Sequence, residues 1–369
     1  MAVALARPAP EMFAALVECK VTEESDFVSH LRAVDGEVTV DTFRAAVVRA
    51  LRGGTASGSY NAVAKLGERV CVRVSKAPFD DGQQAPLYWE MTCASQLGTL
   101  TVGLPVLCFG IVHINRRRRF VSCWPWVECA SAFVARLDAP AKLRFGKTLM
   151  GVIERALETC VHAESLKLTN VVVTHTGELR LIDWDPRFTR YVYSPSQREA
   201  AAGMGVVYML VLESMSPGLF ALETVARAAG VPDDADTPAC AVAASAASAV
   251  AAVMGAFDAQ FASGVLQIVQ LYLVFGALKV HAPSLCKRMR AMAHDAEWAD
   301  ALVGAGEAAG HLRALLLAAA LAAFAPDSHI ARRAAIATLR RSHAASLRHA
   351  TETIPDTDTE DLLCDESPP

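Results

Sequence analysis

No Cys-x-x-Cys pair occurs among the ten cysteines, so the sequence indicates neither a zinc site nor a disulfide framework. Several of the ten sit inside apolar runs, as reduced core thiols do, which points to a reducing intracellular compartment. An excess of positive charge is also lacking. A formal charge of −4 and a pI near 6.2 argue against a general nucleic-acid binder. The opening MAVALARPAPEMF lacks an apolar run long enough for a signal peptide and is broken by Arg7, two prolines and Glu11. Uncharged stretches of membrane length occur at 237–257 and 259–278, but neither is apolar throughout. The first is dominated by Ala and Ser, and the second carries Gln260, Ser263, Gln267 and Gln270. No membrane span is expected; a hydrophobic fraction of 53% instead fits a helix-rich core. The last nineteen residues lack any base and hold seven acids, the composition of a disordered acidic tail.

The chain changes texture along its length. Residues 1–46 read as a helical extension, with Asp41 and Thr42 expected to cap FRAAVVRALR. Residues 47–127 turn to β: SYNAVAKL and RVCVRVSK flank a Gly67-Glu68 turn, and VLCFGIVHI and FVSCWPWV are joined across NRRRR. A helical segment, APLYWEMTCASQL, lies between the two pairs. Residues 128–350 read as mainly helical, interrupted by one hairpin, and 351–369 form the acidic tail. RRAAIATLRRSHAASLRH, ahead of the tail, is expected to be a helix with a solvated basic face. The fold class expected is α+β, a small antiparallel β region with one helix followed by a larger helical region.

The interrupting hairpin, TNVVVTHTGELRLIDWDP, is chemically loaded. Asn170 precedes its first strand and Asp183 follows its second, and closing the hairpin brings an amide oxygen and a carboxylate together. Hard oxygens of this kind suit Mg²⁺ shared with nucleotide phosphates. The plainer alternative is an Asn in a turn and an Asp that caps a strand end locally.

A β-rich region, then a helical one opened by such a hairpin, resembles the eukaryotic-like protein kinase superfamily over about residues 47–215. In that family the catalytic loop ends Asp-Leu-Lys-x-x-Asn, and the Asp of Asp-Phe-Gly follows thirteen positions later. Here Ser165-Leu166-Lys167-Leu168-Thr169-Asn170 is followed by Asp183-Trp184-Asp185, and 183 − 170 = 13. The resemblance implies a two-lobed fold, with a small lobe over 47–127 and a large lobe over 128–350 that diverges after about 215. It also implies ATP and Mg²⁺, with Asn170 and Asp183 as metal ligands. GGTASGSYNAVAKL is similar to the phosphate-covering glycine loop, with Gly58 matching, Val63 over the adenine, and Ala56 and Asn61 replacing the outer glycines. Arg73, in VCVR, stands where the phosphate-pairing Lys belongs, and its planar fork makes the exchange non-conservative. Glu90, seventeen positions on, is the implied ion-pair partner, and Lys167 keeps the register of the Lys that supports the transferred phosphoryl group.

The catalytic base departs from the family. Counting back from Asn170 reaches Ser165, which is not a competent base; His162-Ala163-Glu164 is similar to the family's His-x-Asp with one residue extra. Either a bulge gives Glu164 the role of base, or the base is absent and the chain is a pseudokinase. Asp185 and Pro186 replace the flexible Gly after the metal Asp, no Ala-Pro-Glu follows, and the usual Asp is missing from GMGVVYMLVLES. Regulation by activation-loop phosphorylation is therefore not expected. DWDPRF, with Arg for Lys, is similar to divergent kinase-like proteins of large DNA viruses, the herpesvirus type included, which would place the chain in host cytoplasm, nucleus or virion. Three functions compete: a Ser/Thr-type protein kinase acting on protein substrates, a pseudokinase that binds nucleotide or partners, and a small-molecule phosphotransferase. The last has no sequence feature of its own.

Overall fold

The computed structural model describes residues 20–21, 23–54, 56–57, 61–80, 84–114, 116–232 and 238–281. The fold is α+β, and the chain divides into two compact units, 1–192 and 193–369. Gly58, the basic segment 332–349 and the acidic tail 351–369 lie outside the described residues.

The first unit is built on a six-stranded sheet in the order β1-β5-β6-β4-β3-β2. Its strands are β1 (Lys20–Val21), β2 (Ala56–Ser57), β3 (Asn61–Leu66), β4 (Val70–Ser75), β5 (Cys108–Ile114) and β6 (Arg117–Pro125). All neighbours pair antiparallel except β1, which runs parallel to β5. Two helices precede β2: α1 (Glu24–Arg32) and α2 (Val40–Leu51). They are not a separate extension, because Phe27, Leu31, Phe43 and Val47 share one core with Ala64, Val72 and Val121 of the sheet. The cap of α2 also differs from expectation. Thr39 is the extended residue before the first turn, its hydroxyl accepts from Thr42 N–H at 3.2 Å, and Thr42 completes a reciprocal capping box. Between α1 and α2, Asp35 accepts from the backbone N–H groups of Glu68 (2.7 Å) and Arg69 (3.1 Å) and so fastens the β3–β4 turn. Those hydrogen bonds hold its carboxyl below the usual range.

Helix α3 (Gln84–Thr99) follows β4. After β6 come β7 (Glu128–Cys129), α4 (Ala130–Val134), α5 (Ala139–Leu157), β8 (Cys160–His162), β9 (Val171–Val173), β10 (Leu179–Leu181) and β11 (Thr189–Tyr191). The expected hairpin is β9–β10, and β7 adds to it on the β9 side. A strand absent from the sequence reading, β11, pairs antiparallel with β8. The compact units divide after Val192. One reason is that Leu104 N–H donates to Leu181 O (2.9 Å) and Leu181 N–H to Val102 O (2.9 Å), tying the segment after α3 to the hairpin.

The second unit is helical: α6 (Pro195–Met215), α7 (Leu222–Ala228), α8 (Pro238–Ala256) and α9 (Ala259–His281). Ser194 caps α6, and its residues 206–214 are buried on every side, so the helix is the centre of this unit. Buried Glu213 accepts from Gly218 N–H (2.7 Å) and Phe220 N–H (2.9 Å), closing the turn that follows. Among the described residues, no helix is long and apolar enough to cross a membrane, and that includes the two uncharged stretches.

Candidate functional site

Arg73 and Glu90 meet as a fork. β4 is a central strand whose other residues are all buried, and Arg73 is its half-buried exception. Glu90 lies on the run 89–94 of α3, buried throughout. Nη1 of Arg73 donates to Glu90 Oε1 and Nη2 to Oε2 at 3.3 Å. Burial acts to lower the guanidinium's pKa, but Glu90 and then Asp183 outweigh it and hold the value above the ordinary one. Leaving either charge there alone would be costly, and the bidentate geometry offsets that cost. Nη2 also lies 3.9 Å from Asp183 Oδ1, so the fork reaches the hairpin.

The hairpin turns at Gly177, whose φ of 82° suits a residue without Cβ, with Gly177 N–H donating to Thr174 O. At the open end Ile182 N–H donates to Asn170 O at 2.9 Å, which carries the ladder one residue beyond β10, immediately before Asp183. Asp183 adopts φ 72°, an uncommon left-handed conformation for a side chain that is not glycine. Past it the chain turns Trp184 inward, fully buried, with its ring 4.5 Å from that of His162. Gly103 lies against the indole; a Cβ there would come within 3.2 Å of it. Asp185 then accepts from the Arg187 N–H and guanidinium, which with Pro186 makes a firm turn.

His162 is buried, and that burial pushes its pKa down to about 4, so the ring is neutral near pH 7. Its Nε2 lies 3.3 Å from Ile182 O, an acceptor only, and its Nδ1 lies 2.9 Å from Thr189 Oγ1. The Phe188 carbonyl also hydrogen-bonds the ring, so backbone carbonyls and the Thr189 hydroxyl together hold the imidazole in place.

Residues 163–166 form a 3₁₀ turn that separates the two candidates for a base. Ser165 is buried and its hydroxyl donates to His162 O at 2.7 Å, a turn role. Glu164 faces the other way, into a cluster. Asn170 Nδ2 donates to its carbonyl (3.0 Å) and reaches its Oε2 (3.5 Å), and Lys167 Nζ lies 3.7 Å from that oxygen. Glu164 and Asp183 are close enough for each to shift the other's titration. Burial, opposed by Lys167 and reinforced by Asp183, pushes the Glu164 carboxyl up to about 7. Burial acts to raise Asp183 too, but Arg73, Glu164 and Lys167 outweigh it and hold this carboxyl below the usual range. Glu164 is thus the proton carrier of the pair, and Asp183, with its side chain 40% exposed, is the ionised member facing solvent.

The structure thus brings together Arg73, Glu90, Glu164, Lys167, Asn170 and Asp183. Val63 pairs with Arg73 across the sheet and shares its half-buried face. Three participants escaped the sequence reading: Thr189, the Asp185–Arg187 fork, and the amide of Asn61 beside Arg73. No spacing marks any of them, because each depends on the register between paired strands or on a local turn. Among the described residues, no group of three or more His, Cys, Asp or Glu is arranged to hold a metal ion. No protein-family model matches the chain, and no curated protein is found to be similar to it.

Proposed function

We propose that the chain is a divergent protein-kinase-like phosphotransferase that takes ATP with Mg²⁺ and passes the γ-phosphoryl group to Ser/Thr hydroxyls of protein. The observation that carries this reading is the arrangement of the Arg73–Glu90 fork at Asp183, with Lys167 and Asn170 gathered on Glu164. The donor set fits the cation: Asp183 is ionised, and the Asn170 amide spends its nitrogen on Glu164, leaving an oxygen to offer. These two would hold Mg²⁺, which when bound neutralises charge on the phosphates. Arg73 and Lys167 supply positive charge for the phosphoryl oxygens. Glu164, titrating near neutrality, has the pKa range of a general base for an acceptor hydroxyl.

A second reading rests on a specific observation. Glu164 spends its carboxyl on Asp183 and Asn170, and the position of the family's usual base is the buried Ser165, as in a pseudokinase that binds nucleotide without transfer. Titration of a fluorescent ATP analogue with and without Mg²⁺, followed by a phosphotransfer assay on Ser/Thr peptides, separates the two. The kinase reading expects Mg²⁺-dependent binding, weakened by Arg73→Ala, together with turnover. Binding without turnover selects the pseudokinase, and no binding by the wild type removes both.

A further inference from the structure

We infer that Asn61 is a positioning residue that holds the Arg73 guanidinium in its fork and makes this site specific for arginine over lysine. β3 alternates, with Ala62, Ala64 and Leu66 buried and Asn61, Val63 and Lys65 half-buried. Asn61 pairs with Ser75 and Val63 with Arg73, so Asn61 lies diagonally from Arg73 on one face of the ladder. With its amide turned so that the oxygen faces the guanidinium, Asn61 accepts from Nε at 3.0 Å and from Nη2 at 2.6 Å. Glu90 takes Nη1 and Nη2 on the adjoining edge. Two acceptors on two edges fix both the plane of the guanidinium and its rotation. An ammonium has no Nε–H and presents only a point charge, so it cannot satisfy both edges. Asn is also neutral, and so adds an acceptor without a third negative charge beside Glu90 and Asp183.

The functional readout rests on the nucleotide reading above, so the test has an arm that does not. The Arg73 Nε–H resonance, assigned by its loss in Arg73→Lys, is followed by NMR for exchange with water. Exchange is expected to be at least about tenfold slower in the wild type than in Asn61→Ala, and to stay slow in Asn61→Asp, which keeps an acceptor. Equal rates in the wild type and Asn61→Ala overturn the inference. In the second arm, Asn61→Ala is expected to weaken binding of the Mg²⁺-loaded ATP analogue about tenfold, but less than roughly twofold in an Arg73→Lys background. Equal losses in both backgrounds overturn it. If the wild type binds no nucleotide, the nucleotide reading fails, and the exchange rates alone judge Asn61.

Discussion

Asp183 spends backbone energy to present its carboxylate: a left-handed residue with a Cβ costs about 1–2 kcal/mol, and Asp is among the side chains that tolerate it best. The neighbouring Glu164 titrates near neutrality, so at pH 7 part of it is the ionised carboxylate that a base requires, and Gln removes that form. Glu164→Gln is expected to lower phosphotransfer by roughly 10²–10⁴ while nucleotide affinity stays within about twofold, since a base acts on the acceptor hydroxyl and not on ATP. Initial rates and a binding titration on the same preparation check this, and unchanged turnover refutes the role. A structural residue gives a cleaner stability test. Gly67 has φ 66°, and a Cβ there would collide with Asp35, its Cγ only 2.9 Å away. Gly67→Ala should cost about 1–2 kcal/mol from the backbone alone, read as a lower urea midpoint, with more if Asp35 loses its turn.

At the scale of elements, the strands and helices whose own pattern decides them were legible, and those decided by partners were not. β3, β4 and β5 alternate or run apolar between turn residues, and α3 follows from an unbroken helical stretch. NRRRR reads as a loop, yet Arg117 to Arg119 lie in β6. The reason is tertiary: Arg119 donates to the carbonyls of Ser75 and Lys76, and the Arg118 guanidinium sits 5.2 Å from the centre of the Phe79 ring. In the helical unit, α9 approaches α6 closely at Gly276, where a Cβ would lie 2.8 Å from the backbone carbon of Ser214. Backbone cannot move aside as a side-chain tip can. Gly276→Ala is therefore expected to destabilise the protein by about 1–3 kcal/mol, measured by denaturant unfolding, despite the better helix propensity of alanine.

For the whole molecule, two shifted groups oppose each other in the pH dependence of stability. Glu164 titrates at about 7 in the fold against 4.5 ordinarily, so between those values the folded chain holds the extra proton and stability falls as pH rises. His162 titrates at about 4 against 6.5, so across that interval the unfolded chain holds the extra proton and stability rises with pH. The two slopes oppose each other from pH 4.5 to 6.5. Between pH 4.5 and 6.5 the melting temperature should therefore rise more steeply with pH in Glu164→Gln than in the wild type, as followed by circular dichroism; Glu90, whose carboxyl is also raised by burial, contributes alike to both. Equal slopes in the two proteins would show that Glu164 is not a group held protonated.

Residue spacing along the chain determined which parts of the candidate site could meet. Thirteen residues from Asn170 to Asp183 are enough for two short strands and a glycine turn, and a hairpin of that length returns its ends to one place whatever surrounds it. The pattern of strand-like and helical segments along the chain likewise pointed to α+β with a helix-rich second part. Which carboxyl keeps a proton, and which base candidate faces the cluster, was decided only in three dimensions. Ser165 and Glu164 are adjacent, and a single 3₁₀ turn sends one hydroxyl to the His162 carbonyl and the other side chain to Asp183 and Lys167. The Asn61–Arg73 tie depends in the same way on the register of β3 against β4. Local sequence sets the period of a strand, but register and burial arise from everything packed against it, and these two set the charge state of each group in the site.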